Sequence, residues 1–214
     1  MRKTKSRPGR RPQNQPAARS GVPAAMIWAE PRNLFFFRTA RLSGPEGEIA
    51  CQLLALAESG AILRSAATLE PLDRCTLELN SVHRLDGSVT WVEEDRAGLE
   101  FDDRDQVRKV LAGREMSFPY RAPRLGLTCA LEIRLGSRRL RTECHDISEG
   151  GIKVALELAD CEGEEAIVAL DGLDPVAGQV RWCRGGHAGI AFEQPIPSLE
   201  FTRWVTPRLG ACAA

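Results

Sequence analysis

Along residues 125–193, apolar and polar positions alternate in short runs. "CALEIRL", "LRTECHDI", "GIKVAL", "EAIVAL", "AGQVRWC" and "AGIAFE" each change character at nearly every step. A strand sends successive side chains to opposite faces, so this period of two predicts half-buried strands. Gly, Asp and Pro separate the runs, and "GLDPVAG" (172–178) and "HRLDGS" (83–88) read as turns between strands. Two stretches change to helical spacing. In "DDRDQVRKVLAG" (102–113), Asp residues stand at the capping positions, Val107, Val110 and Leu111 share a face, and Gly113 is a stop signal. In "PSLEFTRWV" (197–205), Ser198 is a candidate N-cap, with Phe201, Trp204 and Val205 at helical spacing.

The pattern occurs twice. Residues 87–101, "GSVTWVEEDRAGLEF", and 178–192, "GQVRWCRGGHAGIAF", match without a gap at an offset of 91 residues. Gly, Val, Trp, Ala, Gly and Phe coincide, from Gly87/Gly178 to Phe101/Phe192. Upstream the offset is expected to change. "ESGAIL" (58–63) aligns with "EGGIKV" at 90 residues, and "RTARL" (38–42) with "RAPRL" (121–125) at 83, as if one hairpin of the first copy were shorter. A repeat on this scale sets the architecture. Two small antiparallel β-barrels in tandem are expected, each followed by a short helix, with a linker near 113–120.

Composition changes this picture at the ends. The formal charge is zero, with 29 basic and 29 acidic residues, but residues 1–20 hold seven of the basic ones and no acid. The rest of the chain is therefore acidic. The tail, also rich in Pro and Gln, has too little apolar area to offset the entropy of ordering, so residues 1–24 are expected to be disordered. No apolar stretch follows it that would suit a secretory signal, and "VPAAMIWAEPRNLFFF" is too short and too interrupted to span a bilayer. The seven Cys form no C-x-x-C pair, which suits buried free thiols in a reducing cytoplasm.

The candidate chemistry lies in "HDISEGGIKV" (145–154), where an acid, a hydroxyl and two glycines precede a strand. An Asx- or Ser-type turn would need the same residues. Asp146, Ser148 and Gly151 fit D-x-S-x-x-G, and Arg121 and Arg124 stand upstream in "YRAPR". A short β-barrel with an Arg-rich entry segment and this motif resembles the PilZ domain, a family that binds the bacterial second messenger cyclic di-GMP. The resemblance implies two six-stranded barrels, a degenerate one at 35–113 and one with the ligand motif at 117–207. The family's arginine motif is R-x-x-x-R. Here the spacing is R-x-x-R, with Tyr120 where the first arginine would stand.

The residue types suit the implied ligand. Guanidinium groups fork onto phosphate oxygens or onto the O6/N7 edge of guanine. Asp146 is expected to accept from guanine N–H groups or to orient an arginine, and Ser148 to donate to phosphate. Gly150 and Gly151 are expected to allow positive φ and to leave room for the ligand. In the first copy, Leu56 and Glu58 are read opposite Asp146 and Ser148, Ala61 opposite Gly151, and Arg38 and Arg41 remain without the motif's acid and hydroxyl. That copy is not expected to bind nucleotide.

Other patterns carry less. Cys144 and His145 should face opposite ways along a strand. Cys183 and His187 would need further ligands to hold a metal. Trp91 and Trp182 read as barrel-core or barrel-lip packing. No P-loop, G-x-S-x-G or paired-carboxylate pattern is visible, so no enzyme is expected. The reading is a cytoplasmic cyclic di-GMP receptor that acts on a protein effector, with nothing in the sequence to fix its oligomeric state. The alternative is a degenerate module that binds a protein partner without nucleotide. A nucleic-acid binder using the basic tail is opposed by the acidic body.

Overall fold

In the computed structural model, residues 34–45, 47–80, 82–112, 121–158 and 161–211 are described. The basic tail, the segment 113–120 and Cys212 lie outside them. The first barrel comprises β1 (Leu34–Gly44), β2 (Gly47–Leu56), β3 (Gly60–Ser65), β4 (Arg74–Glu78), β5 (Arg84–Glu93) and β6 (Arg96–Phe101), followed by helix α1 (Arg104–Leu111). The second comprises β7 (Leu125–Leu135), β8 (Arg138–Ser148), β9 (Gly151–Ala155), β10 (Glu165–Leu170), β11 (Val176–Arg184) and β12 (His187–Phe192), followed by helix α2 (Ser198–Ala211). Both sheets close with the same order, β1-β2-β3-β6-β5-β4 and β7-β8-β9-β12-β11-β10, and every pairing is antiparallel. Closure leaves neither sheet an open edge.

The strand register corrects the sequence alignment. Leu42 pairs with Leu77 as Ile133 pairs with Val168, and Gly44 with Gly47 as Leu135 with Arg138. Leu53 pairs with Leu63 as Cys144 with Val154, and Ala61 with Leu99 as Ile152 with Ile190. The offset is thus 91 residues from the first strand to the last, and no hairpin is trimmed. "RTARL" lies inside β1, opposite Cys129–Ile133 of β7, and not opposite "RAPRL", which precedes β7. Arg41 is ion-paired with Glu78 at 2.5 Å and with Glu48 at 3.2 Å.

The two expected turns also move. "HRLDGS" lies almost wholly in β5, and Val176–Gly178 in β11. Their glycines serve close strand approach, not reversal. A Cβ on Gly87 would stand 2.3 Å from the carbonyl oxygen of Glu100, and one on Gly178 2.5 Å from that of Ala191. The reversal before β5 is made by Asn80, whose Oδ1 accepts from the backbone N–H groups of Val82 and His83 at 2.8 Å.

Each helix closes its barrel. Asp103 caps α1 by accepting from the N–H groups of Asp105 and Gln106, and Val107 and Val110 enter the first core beside Leu77 and Leu99. Phe201, Trp204 and Val205 of α2 enter the second core with Ile133, Ile147 and Val168. The helix runs past Pro207, beyond the expected stretch. Its outer face docks on β1 and β2 of the first barrel: Thr206 Oγ1 donates to the carbonyl of Ala50 at 3.1 Å, and Ala50 packs with the second core. Proline removes one helical hydrogen bond, and the burial of Trp204, Val205 and Thr206 just before it holds the helix there. No helix among the described residues is long and apolar enough to cross a membrane.

Candidate functional site

The motif strand β8 ends at Ser148, and Ser148 pairs with Gly151, so Glu149–Gly150 forms a two-residue turn into β9. Gly151 is required by packing: a Cβ there would lie 2.6 Å from the carbonyl oxygen of Ile190 on β12. Gly150 has open space around its Cα. Neither glycine adopts positive φ, which corrects that part of the expectation. Ser148 is 7% exposed, and its hydroxyl donates to the Gly151 carbonyl at 3.3 Å, so it closes the turn.

Asp146 sits just before the turn, where β8 breaks register with both neighbours. The shifts fall between Gly126 and Cys129 on β7 and between Cys144 and Asp146 on β8. Such bulges redirect side chains. Here the Asp146 carboxylate accepts from Arg124 Nη1 at 2.5 Å. Arg124 belongs to the segment 121–124 leading into β7, in which Pro123 is buried and Arg121 exposed. Asp146 is therefore paired with an arginine of the segment that leads into β7.

A cleft of about 940 Å³ opens over the turn. Arg121, Arg124, Ser148, Glu149 and Gly150 line it, together with Arg181 and Trp182 of β11, Pro195, and Arg38 from β1 of the first barrel. Asp146 and Gly151 stand behind the lining. Four arginines thus line one cavity, whose volume is in the range of small-molecule sites. Its one carboxylate is turned away: Glu149 is 9% exposed and accepts from both the N–H (2.9 Å) and the Oγ1 (2.5 Å) of Thr39 on β1. The motif turn is thereby tied to the other barrel across 110 residues of chain.

Arg181, Trp182, Arg38 and Glu149 are absent from the sequence-based site. Arg181 could have been found, since it follows the buried Val180 on an alternating strand and so faces out. Arg38 and Glu149 carry no local signal. Trp182 is not a core residue. It is half-buried and lies over Gly189, where a Cβ would stand 2.1 Å from its Nε1, with the Arg184 guanidinium 5.5 Å from its ring centroid. Cys144 and His145 do face opposite ways, one buried and one exposed.

In the first barrel, Ala57 and Gly60 exchange both backbone hydrogen bonds across the equivalent turn. The residues at Asp146, Ser148, Glu149, Gly150 and Gly151 are therefore Ala55, Ala57, Glu58, Ser59 and Gly60. The alignment with Leu56 and Ala61 is one residue out of register. Leu54, Ala55, Ala57 and Ile62 are all at most 4% exposed, with Trp91 packed against them. Glu58 pairs with Arg108 of α1 at 3.0 Å. Residues Glu30 and Asn33, at the offset from Arg121 and Arg124, lie outside the described residues.

Two closed six-stranded barrels stand in tandem, and the second carries an arginine-lined cleft at its D-x-S-x-x-G turn. The chain belongs to the PilZ domain family, whose model matches residues 29–113 and again 120–203. Among solved structures, it is similar to the Borreliella burgdorferi PlzA protein in complex with c-di-GMP. The identity is 16% over 78% of this chain and 85% of that one, with a TM-score of 0.36. It is similar to YcgR from Escherichia coli in complex with c-di-GMP at 16% identity, over 77% and 80% of the two chains, with a TM-score of 0.30. It is also similar to the Bacillus subtilis inhibitor of motility, MotI/DgrA, at 12% identity over 84% and 96%, with a TM-score of 0.30. A comparison with curated proteins finds no match. Membership rests on the family model and not on these distant likenesses.

Proposed function

We propose that this protein is a cytoplasmic, non-enzymatic receptor for cyclic di-GMP that passes its signal to a protein effector. The ligand is held by the second barrel through Arg121, Arg124, Asp146, Ser148, Gly150 and Gly151, and is read out by the first. One observation carries the reading: four arginines from two barrels line one cleft at the motif turn. A dianionic dinucleotide supplies two phosphates for forked contacts and two guanines with O6/N7 edges for further ones. Trp182 adds a ring at the cleft wall, and Ser148 a hydroxyl that is released if the turn adjusts.

The readout follows from Glu149. Its carboxylate belongs to the motif turn and its partners to β1, so a ligand that moves the turn alters a buried contact between barrels. The test is calorimetric titration of the full chain with cyclic di-GMP, beside Arg124→Ala. Binding that is lost in the variant supports the receptor. No heat with the wild type supports the second reading, a partner-binding module without nucleotide, which the R-x-x-R spacing and the alanine-substituted first barrel favour.

A further inference from the structure

Six cysteines lie among the described residues, all as free thiols. Two of them are direct register partners: Cys129 on β7 faces Cys144 on β8. Residues directly opposite on antiparallel strands have Cα atoms about 4.5–5.5 Å apart and side chains on the same face. Disulfides span Cα separations of about 4.4–6.8 Å. The backbone therefore already holds this pair at bridging distance.

The two positions differ in access. Cys144 is fully buried and Cys129 only partly, so a small oxidant meets Cys129 first. They differ in charge as well. The Cys144 thiol donates a hydrogen bond to the Cys129 sulfur, and with the positive charge of Arg208 this outweighs desolvation and draws Cys129 down to about 7. The same hydrogen bond, with burial, pushes Cys144 up and keeps it a thiol. Other thiols are held in reserve. Burial pushes Cys75 up to about 11 and raises Cys51 as well. Cys161 is likewise pushed up to about 11, first by burial and then by its contact with Cys183.

We propose that Cys129 and Cys144 are a redox-modification site, converted by a hydroperoxide into a reversible cross-strand disulfide. The Cys129 thiolate attacks the O–O bond of the peroxide, which breaks and releases hydroxide or alkoxide and leaves a sulfenic acid. The Cys144 sulfur then attacks that sulfur, the S–O bond breaks, and the hydroxyl leaves as water with the proton of Cys144. Two thiols lose two electrons and two protons, and one peroxide is reduced to two waters, or to water and an alcohol. A small dithiol reverses the bridge by exchange. The bond would border both register shifts, which fall between Cys144 and Asp146 along β8, so it would pin the strand where the bulge begins. The site stands independently of nucleotide binding.

The test uses the full chain, reduced and then exposed to hydrogen peroxide at neutral pH, with free thiols blocked and mapped by peptide mass spectrometry. A Cys129–Cys144 linked peptide, abolished by dithiothreitol, is expected. Cys144→Ser should leave a dimedone-reactive sulfenic acid on Cys129, and Cys129→Ser should leave Cys144 unreacted. In the wild type, alkylation of Cys129 should show a midpoint at pH about 7 and outpace that of an ordinary thiol at pH 7 by roughly tenfold. A bridge that forms first through Cys161, Cys183 or Cys212 would overturn the proposal. So would a fully reduced protein in a vessel where added glutathione has been consumed. The wild-type map decides the matter even if a serine variant folds poorly.

Discussion

The two barrels have the same strands, in the same order and register, at a constant offset of 91 residues, yet their equivalent surfaces have opposite character. Where the second barrel carries Asp146 and Ser148 beside a cationic cleft, the first carries Ala55 and Ala57 on a buried apolar face. The turn glutamate is kept in both, but Glu58 pairs with Arg108 of its own barrel and Glu149 with Thr39 of the other. The glycines are kept too. Gly87 and Gly178, and Gly98 and Gly189, each sit where a Cβ would strike a neighbouring backbone or a tryptophan. Strand geometry holds these glycines in place whatever the surface does. A site residue is free to change once its surface is used for something else.

The largest expected effects would break the shared frame. Phe201→Ala removes the fully buried centre of the α2 cap and should cost about 3–5 kcal/mol in thermal or denaturant unfolding. Restoring the motif in the first barrel by Ala55→Asp with Ala57→Ser places a carboxylate on a face that is closed to water. It should destabilise by several kcal/mol and create no second nucleotide site by calorimetry. The reverse change, Asp146→Ala, removes an ion pair whose partners are partly exposed, so stability should move by less than about 1 kcal/mol.

Arg124→Ala should weaken cyclic di-GMP binding by roughly 10- to 100-fold, the equivalent of losing one charge-assisted contact. Equal affinity in the variant would remove the cleft from the reading. Thr39→Val leaves Glu149 one donor short, and should lower stability by about 1–2 kcal/mol and change the ligand-dependent scattering profile. The smallest effect is confined to the first barrel. Arg74 donates to Asp102 at 2.5 Å and holds its carboxyl below the ordinary aspartate range. A depressed carboxyl stabilises above its unfolded value and loses that contribution as the pH falls through the folded one. Melting curves of the wild type and Asp102→Asn should therefore differ at pH 7 and converge in strong acid. The second barrel has Glu165 and Glu193 at these places and no such pair.

Much of this was legible in the sequence for a physical reason. A barrel strand has one wet face, so "CALEIRL" and "EAIVAL" alternate and read correctly. The α1 cap and its Val107/Val110 face are local, and so is D-x-S-x-x-G. The register failed where locality fails. In β2, "ACQLLAL" is buried on both faces because α2 docks there, so its pattern has no period to align by, and the first site slipped by one residue. "HRLDGS" read as a turn because Gly and Asp favour turns, whereas Gly87 answers to the Glu100 carbonyl across the sheet.

The sequence by itself determined the two barrels, their helical caps and the residues of the motif turn, because strand periodicity, capping and turn chemistry act over a few neighbouring residues. Only the tertiary structure decided that Arg38 and Arg181 join Arg121 and Arg124 around one cleft, that Glu149 faces Thr39, and that Cys129 meets Cys144. The first two join distant parts of the chain. They depend on how the two barrels pack together, with α2 docked against β1 and β2, and the third on the register of the β7–β8 hairpin, none of which a local pattern encodes.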